Sequence, residues 1–308
     1  MRITGTFLDE ITHDIPCQNW GPREWAADFD VMRHVGIDTV IIIRSGYKER
    51  AVFDSKVLGE HRPMLPAPEN LGELFLDLAG RNGMKLFWGL YDPGGWGRDG
   101  RTTLKLNEAF MREVHELFGR HPAFAGWYLT FELSRNVPEQ VELVLGAGRA
   151  AKALTPDLPT LISPYIAGVK APPGEAAVTR AAHEAEWSAI FNRIRECVDI
   201  VAFQDGHVDY PELGDYLRTN ARLARESGIT CWSNVETFDR DMPIKFPPID
   251  WRKLRFKMDT ARDAGVEKLI TFEFSHFLSP HSAYPAAHRL FDRYCEHFGL
   301  KAKAPERP

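Results

Sequence analysis

Three apolar runs of this chain close on a carboxylate: Phe124-Ala-Gly-Trp-Tyr-Leu-Thr-Phe-Glu132, Asn234-Val-Glu236 and Thr271-Phe-Glu273. A charge that ends such a run belongs at the rim of a sheet, because an unpaired carboxylate in its middle would cost several kcal/mol. Carboxylates gathered at one rim can do acid–base and nucleophilic work once their neighbours set the pKa values apart. Strand alternation puts Thr130 and Tyr128 on the face of Glu132, and Phe131, Leu129 and Trp127 on the other. Other apolar runs end close to Asp9, Glu10, Arg44, Tyr91, Asp92, Tyr165, Gln204, Asp205 and His276. Several acids, one arginine and many aromatics suit a polar, flat-faced ligand such as a sugar. Trp20, Trp88, Tyr91, Trp96, Phe238 and Phe277 are its candidate stacking faces. Trp96, flanked by Gly94, Gly95 and Gly97, has little neighbouring side chain to pack against. A plainer reading stands beside each residue: core packing for the aromatics, a cap or salt bridge for the acids, and a turn for Asp205-Gly206.

The elements that must carry these residues alternate. Strand patterns cover Ile3–Leu8, Thr39–Ile43, Met84–Leu90, Phe124–Glu132, Thr160–Tyr165, Asp199–Phe203, Ile229–Val235 and Lys268–Phe272. Helical patterns follow each, for instance from Pro22 to a stop at Gly36, and over Leu71–Arg81, Leu104–Phe118 and Trp251–Ala264. Thr39-Val-Ile-Ile-Ile43 is solidly β-branched and reads as a parallel strand covered on both faces. Residues 45–70, with Pro63, Pro66 and Pro68, read as a long loop. Eight strand–helix units with no linker between them predict one α/β domain, a single (β/α)8 TIM barrel with long βα loops over residues 1–300, with a frayed tail at 301–308. An open doubly wound sheet would need a glycine-rich phosphate turn after its first strand, and Gly5-Thr-Phe-Leu-Asp9 offers none.

Composition narrows the partners. The net charge of −5 leaves no basic footprint for nucleic acid. Cys17, Cys197, Cys231 and Cys295 lack paired spacing, which argues against a disulfide framework or structural zinc and fits a reducing compartment. The sequence shows no signal core and no membrane span, so a cytoplasmic protein without membrane partners is expected. No cofactor and no metal are called for.

Acids closing the fourth and seventh strands resemble the acid/base and nucleophile of the retaining glycoside hydrolases of the 4/7 superfamily. Arg120-His-Pro-Ala-Phe-Ala-Gly-Trp-Tyr-Leu-Thr-Phe-Glu132 is similar to the way those enzymes enter their fourth strand. Gly5-Thr-Phe7, Trp187 and Asp199-Ile-Val-Ala-Phe-Gln-Asp-Gly206 look more like a bacterial family of uncharacterised barrels grouped with the glycoside hydrolases. Two departures stand out: Phe131 replaces the usual Asn before the acid/base, and no tyrosine closes the sixth strand. The resemblance implies a glycosidase with Glu132 as proton donor and Glu236 as nucleophile, acting on a small carbohydrate. It also implies that Arg44 lies beside Glu236 and keeps it ionised. Tyr128, Tyr165, Gln204, Asp205, Asn234, Glu273 and His276 would then contact substrate. Two rivals remain open. One is a metal-dependent sugar isomerase or epimerase using Glu132, Asp205, His207 and Glu273 as oxygen-rich ligands for Mg²⁺ or Mn²⁺; against it, the seventh strand offers Asn234 and Glu236 in place of a histidine. The other is a non-catalytic carbohydrate-binding barrel.

Overall fold

A computed structural model describes residues 1–12, 14–95, 99–172 and 174–301. Eight strands close into a barrel in chain order: β1 (Ile3–Leu8), β2 (Thr39–Ile42), β3 (Lys85–Gly89), β4 (Phe124–Tyr128), β5 (Thr160–Ile162), β6 (Ile200–Gln204), β7 (Thr230–Asn234) and β8 (Lys268–Thr271). Every neighbouring pair is parallel, and β8 closes on β1 through Ile3 opposite Leu269 and Thr6 opposite Thr271. Parallel strands need crossovers, and the helices that supply them cover the outer face. That is the expected (β/α)8 barrel.

Period-2 alternation sorts each strand between two cores. Phe7, Ile41, Phe87, Tyr128, Leu161, Ala202 and Ile270 fill the barrel interior. Val40, Leu86, Trp127, Val201 and Leu269 face the helices. At Gly89 a Cβ would lie 2.1 Å from the Ile42 carbonyl oxygen, so only glycine lets β3 pass β2 this closely.

Residues 45–70 depart from the long-loop reading. Gly46–Tyr47 pairs with Arg50–Ala51 and with Tyr91–Asp92 in a small separate sheet, and Lys56–His61 is a short helix capped by Ser55. Strands of two residues carry too little periodicity to be read from sequence. Among the described residues no helix is long and apolar enough to cross a membrane.

Candidate active site

The C-terminal ends of the strands surround a cavity of about 180 Å³. Tyr128 and Glu132 from the β4 end, Tyr165 after β5, Gln204 at the end of β6, and Asn234 and Glu236 at the end of β7 all line it. Phe7, Phe238 and Phe272 supply apolar wall, and Asp14 and His207 also open onto it.

Glu236 is held by three residues. Its backbone N–H donates to Asp205 Oδ1 at 3.1 Å, and its carbonyl accepts from Lys257 Nζ at 3.0 Å. Lys257 and Asp205 are themselves a buried ion pair at 2.6 Å. Arg240 grips the carboxylate with both arms of its guanidinium, and Gly206 leaves the space in which that grip forms. Glu236 is 1% exposed. Burial by itself would raise its pKa, but the Arg240 charge and its hydrogen bonds prevail and hold it below the ordinary carboxylate value.

Glu132 has the opposite setting. Its side chain keeps 29% of its surface open, yet the cavity is recessed between the βα loops. Its cation, Arg44, is shared: Nη2 lies 3.8 Å from Glu132 Oε1, Nε donates to Asp92 Oδ2 at 3.1 Å, and Nη1 lies 3.7 Å from Asp14 Oδ2. One guanidinium among three carboxyls cannot offset the burial, which pushes Glu132 up to about 7, with Asp14 adding to the rise. Of the three carboxyls that line the cavity, Glu132 therefore retains its proton near neutrality and Glu236 stays ionised.

The supporting residues are fixed by short bonds. Gln204 Nε2 donates to the Ser163 carbonyl at 2.7 Å. Asn234 donates to Ser163 Oγ at 3.1 Å and accepts from the Phe272 N–H at 2.9 Å, tying β7 to β8 at the rim. The Tyr165 ring packs 4.9 Å from His207. Burial, with the Arg240 charge, lowers the His207 pKa to about 4, so this imidazole is neutral at physiological pH.

Several expected placements are corrected. Arg44 does not serve Glu236; it pairs with Glu132, Asp92 and Asp14, and Arg240 takes the role at Glu236. Trp88 is fully buried on the helix side of β3, its ring stacked 4.9 Å from Phe118, because its position in the alternation points outward. Tyr91 turns into the small sheet, its hydroxyl donating to the Lys48 carbonyl at 2.9 Å. Glu273 is fully buried and caps the short helix Phe274–Phe277, accepting from the N–H groups of Ser275 and His276 and pairing with the His276 ring. The other ring nitrogen of His276 lies 2.7 Å from the Pro16 carbonyl, so neither residue reaches the cavity. Asp205 stands behind Glu236 on Lys257. Trp20 packs on Trp25, and Phe277 is fully buried. Trp96 and the tail beyond residue 301 lie outside the described residues.

With Glu273 and Asp205 so engaged, the set Glu132, Asp205, His207 and Glu273 does not converge. Among the described residues no group of three or more His, Cys, Asp or Glu side chains is arranged to hold a metal ion.

Sequence reasoning missed Arg240, Lys257, Gly206 and Asp14. Lys257 left a signal: it falls on the apolar face of the helix Trp251–Asp263, beside Leu254, Met258 and Ala261. Arg240 left a weaker one, as the first cation after the acid that closes the seventh apolar run.

A structure from Bacteroides thetaiotaomicron VPI-5482, described as a "putative alpha-L-fucosidase", is 46% identical to this chain, covers 97% of it and 94% of its own length, and superposes with a TM-score of 0.94. The endo-beta-1,4-mannanase of Thermotoga petrophila (15% identity, 99% of this chain and 78% of that one, TM-score 0.62) shares the fold. So does the beta-D-glucuronidase of Dictyoglomus thermophilum (14% identity, 96% and 50%, TM-score 0.58). No curated protein matches the chain. The model of one protein family, described as "Domain of unknown function (DUF4434)", matches residues 3–284, a span that includes all eight strands, Glu132 and Glu236, and the chain belongs to that family.

Proposed function

We propose that this protein is a retaining glycoside hydrolase in which Glu132 is the acid/base and Glu236 the nucleophile. The observation that carries the reading is the opposed setting of two carboxyls in one cavity: Glu132 raised to about 7 by burial, Glu236 lowered by Arg240. Glycoside hydrolysis needs that division. One carboxyl must carry a proton for the departing oxygen, while the other is ionised and attacks the anomeric carbon. The glycosyl–enzyme bond then forms at a Glu236 oxygen as the glycosidic C–O bond breaks. Glu132, having given its proton to the leaving group, takes one from a water in the second step as that water's oxygen bonds the anomeric carbon and the bond to Glu236 breaks, releasing its carboxylate.

Further support comes from the 46% identical relative described as a "putative alpha-L-fucosidase". The cavity volume, about 180 Å³, is smaller than the ~300–1,000 Å³ of clefts that enclose drug-sized ligands, and fits one sugar ring at the reacting position. Asn234, Gln204, Tyr165 and neutral His207 would meet its hydroxyls.

The test is a pair of variants on an aryl-glycoside panel. Glu236→Gln should abolish turnover. Glu132→Ala should spare substrates with acidic leaving groups, and azide should restore its second step as a glycosyl azide. Retention of activity in Glu236→Gln, or inversion of the anomeric configuration in the product, would overturn the assignment.

A further inference from the structure

The space at the barrel mouth does not stop at Arg240. A second chamber of about 300 Å³ adjoins the first and shares Pro172, His207, Arg240 and Phe246 with it as walls. Its outer wall is the loop after β7. That loop is closed at its base by the Phe238–Pro248 bridge, by Asp239 N–H to the Pro247 carbonyl at 2.8 Å, and by Ile249 N–H to the Thr237 carbonyl at 2.9 Å. Lys253 holds Asp239 at 2.6 Å and Lys170 holds Asp241 at 2.9 Å, so ion pairs within the chain tie this loop to its surroundings.

Its charged lining is largely engaged internally. Lys170 pairs with Asp209 and Asp241, Asp239 with Lys253, and Arg240 with Glu236. The Lys245 ammonium lies over the Phe246 ring at 4.9 Å. The surface left for a ligand is mainly apolar, Met242 and Ile244, 49% and 61% exposed, with Ala171, Pro172 and Phe246; the neutral His207 ring adds a polar group on the wall shared with the first cavity. A second sugar would want an open aromatic face and a set of hydrogen-bonding groups, whereas Arg240 and Lys245 already lie over the Phe246 ring. Aliphatic walls reward the removal of methylenes from water.

Resting on the glycosidase reading, we infer that this chamber receives a hydrophobic aglycone, which makes the substrate an alkyl or aryl glycoside rather than an oligosaccharide.

The experiment has a binding arm and a turnover arm, both on the full chain. In protein labelled with ¹³C-methyl methionine, with the Met242 resonance assigned through Met242→Leu, titration with hexanol should move that resonance saturably. Affinity should rise by roughly fourfold per buried methylene from butanol to hexanol, and Ile244→Ser should flatten the series. Hydrolysis of methyl, butyl and hexyl glycosides, whose leaving groups are similarly acidic, should show KM falling with chain length. An unmoved Met242 resonance, or a disaccharide that moves it as strongly as hexanol, overturns the inference. If glycosides are hydrolysed with equal KM along the series, the aglycone assignment fails and the glycosidase reading stands. If Met242 titrates with hexanol while no glycoside is hydrolysed, the glycosidase reading fails and the chamber remains a site for apolar ligands.

Discussion

Arg240 holds Glu236 by two parallel bonds, Nε to Oε2 at 2.9 Å and Nη2 to Oε1 at 2.7 Å, across the gap left by Gly206. The two residues are four apart in a loop, with no helix to enforce the pairing. Removing one partner of a buried pair leaves a charge in a poor solvent. Arg240→Ala should therefore destabilise the fold by about 3–5 kcal/mol and raise the Glu236 pKa. Arg240→Lys should recover only part of this, since an ammonium cannot make the bidentate contact. Denaturant unfolding of the three proteins checks the ordering.

On the proposed mechanism, the pH profile follows from the two acids. Proton donation requires protonated Glu132, so kcat/KM should fall as pH rises through about 7. Attack requires ionised Glu236, so the acidic limb should lie below the ordinary value of 4.5. In Glu132→Gln, with a substrate whose leaving group needs no proton, the alkaline limb should disappear. Its persistence would assign the limb to another group.

Gly206→Ala adds one carbon. That carbon would sit 1.7 Å from Glu236 Oε2 and 2.5 Å from Arg240 Nε, so the carboxylate must move. Misplacing a reacting group by about 1 Å costs on the order of 100-fold in rate. Activity should fall by that much while the unfolding midpoint changes far less. A fully active Gly206→Ala would show that Glu236 is not required where it lies.

Glu273 and His276 should report on stability rather than catalysis. Burial opposes the charge on His276, but Glu273 outweighs it and lifts the pKa from 6.5 to about 9. A raised pKa in the folded state means the pair's contribution is complete below pH 6.5 and lost as pH rises through 9. It amounts to about 3 kcal/mol, and Glu273→Gln should remove it. Wild type and variant should differ most below pH 6.5 and converge above 9 in urea unfolding, with KM unchanged.

Trp88→Ala should behave as a core deletion, costing about 3–5 kcal/mol. Its ring is stacked on Phe118 on the far side of the strand from the cavity, so substrate affinity should hold in the folded fraction. A rise in KM without loss of stability would restore Trp88 to the site.

The sequence by itself determined the barrel, because fold class rests on repeated local patterns. Solidly apolar strands such as Thr39-Val-Ile-Ile42 alternate with amphipathic helices, and that alternation is written along the chain. It also determined which rim carries Glu132 and Glu236, since an unpaired carboxylate is too costly in the middle of a buried sheet. Tyr128 and Trp127 were sorted correctly between interior and helix layer by their alternation from Glu132. Only the tertiary structure decided which cation meets which acid. Arg44 follows β2 and Glu132 follows β4, whose strand stops at Tyr128 and not at the acid, but the reach of Arg44 depends on barrel curvature and on a small sheet too short to be read. Arg240 and Lys257 come from a loop and a helix face, and their meeting at Glu236 depends on how the loop after β7 folds back against the following helix. Glu273 shares the sequence pattern of the other two acids. It was diverted because its carboxyl lay within reach of the free N–H groups of the next turn, a cap that satisfies a buried charge locally and takes it out of the cavity.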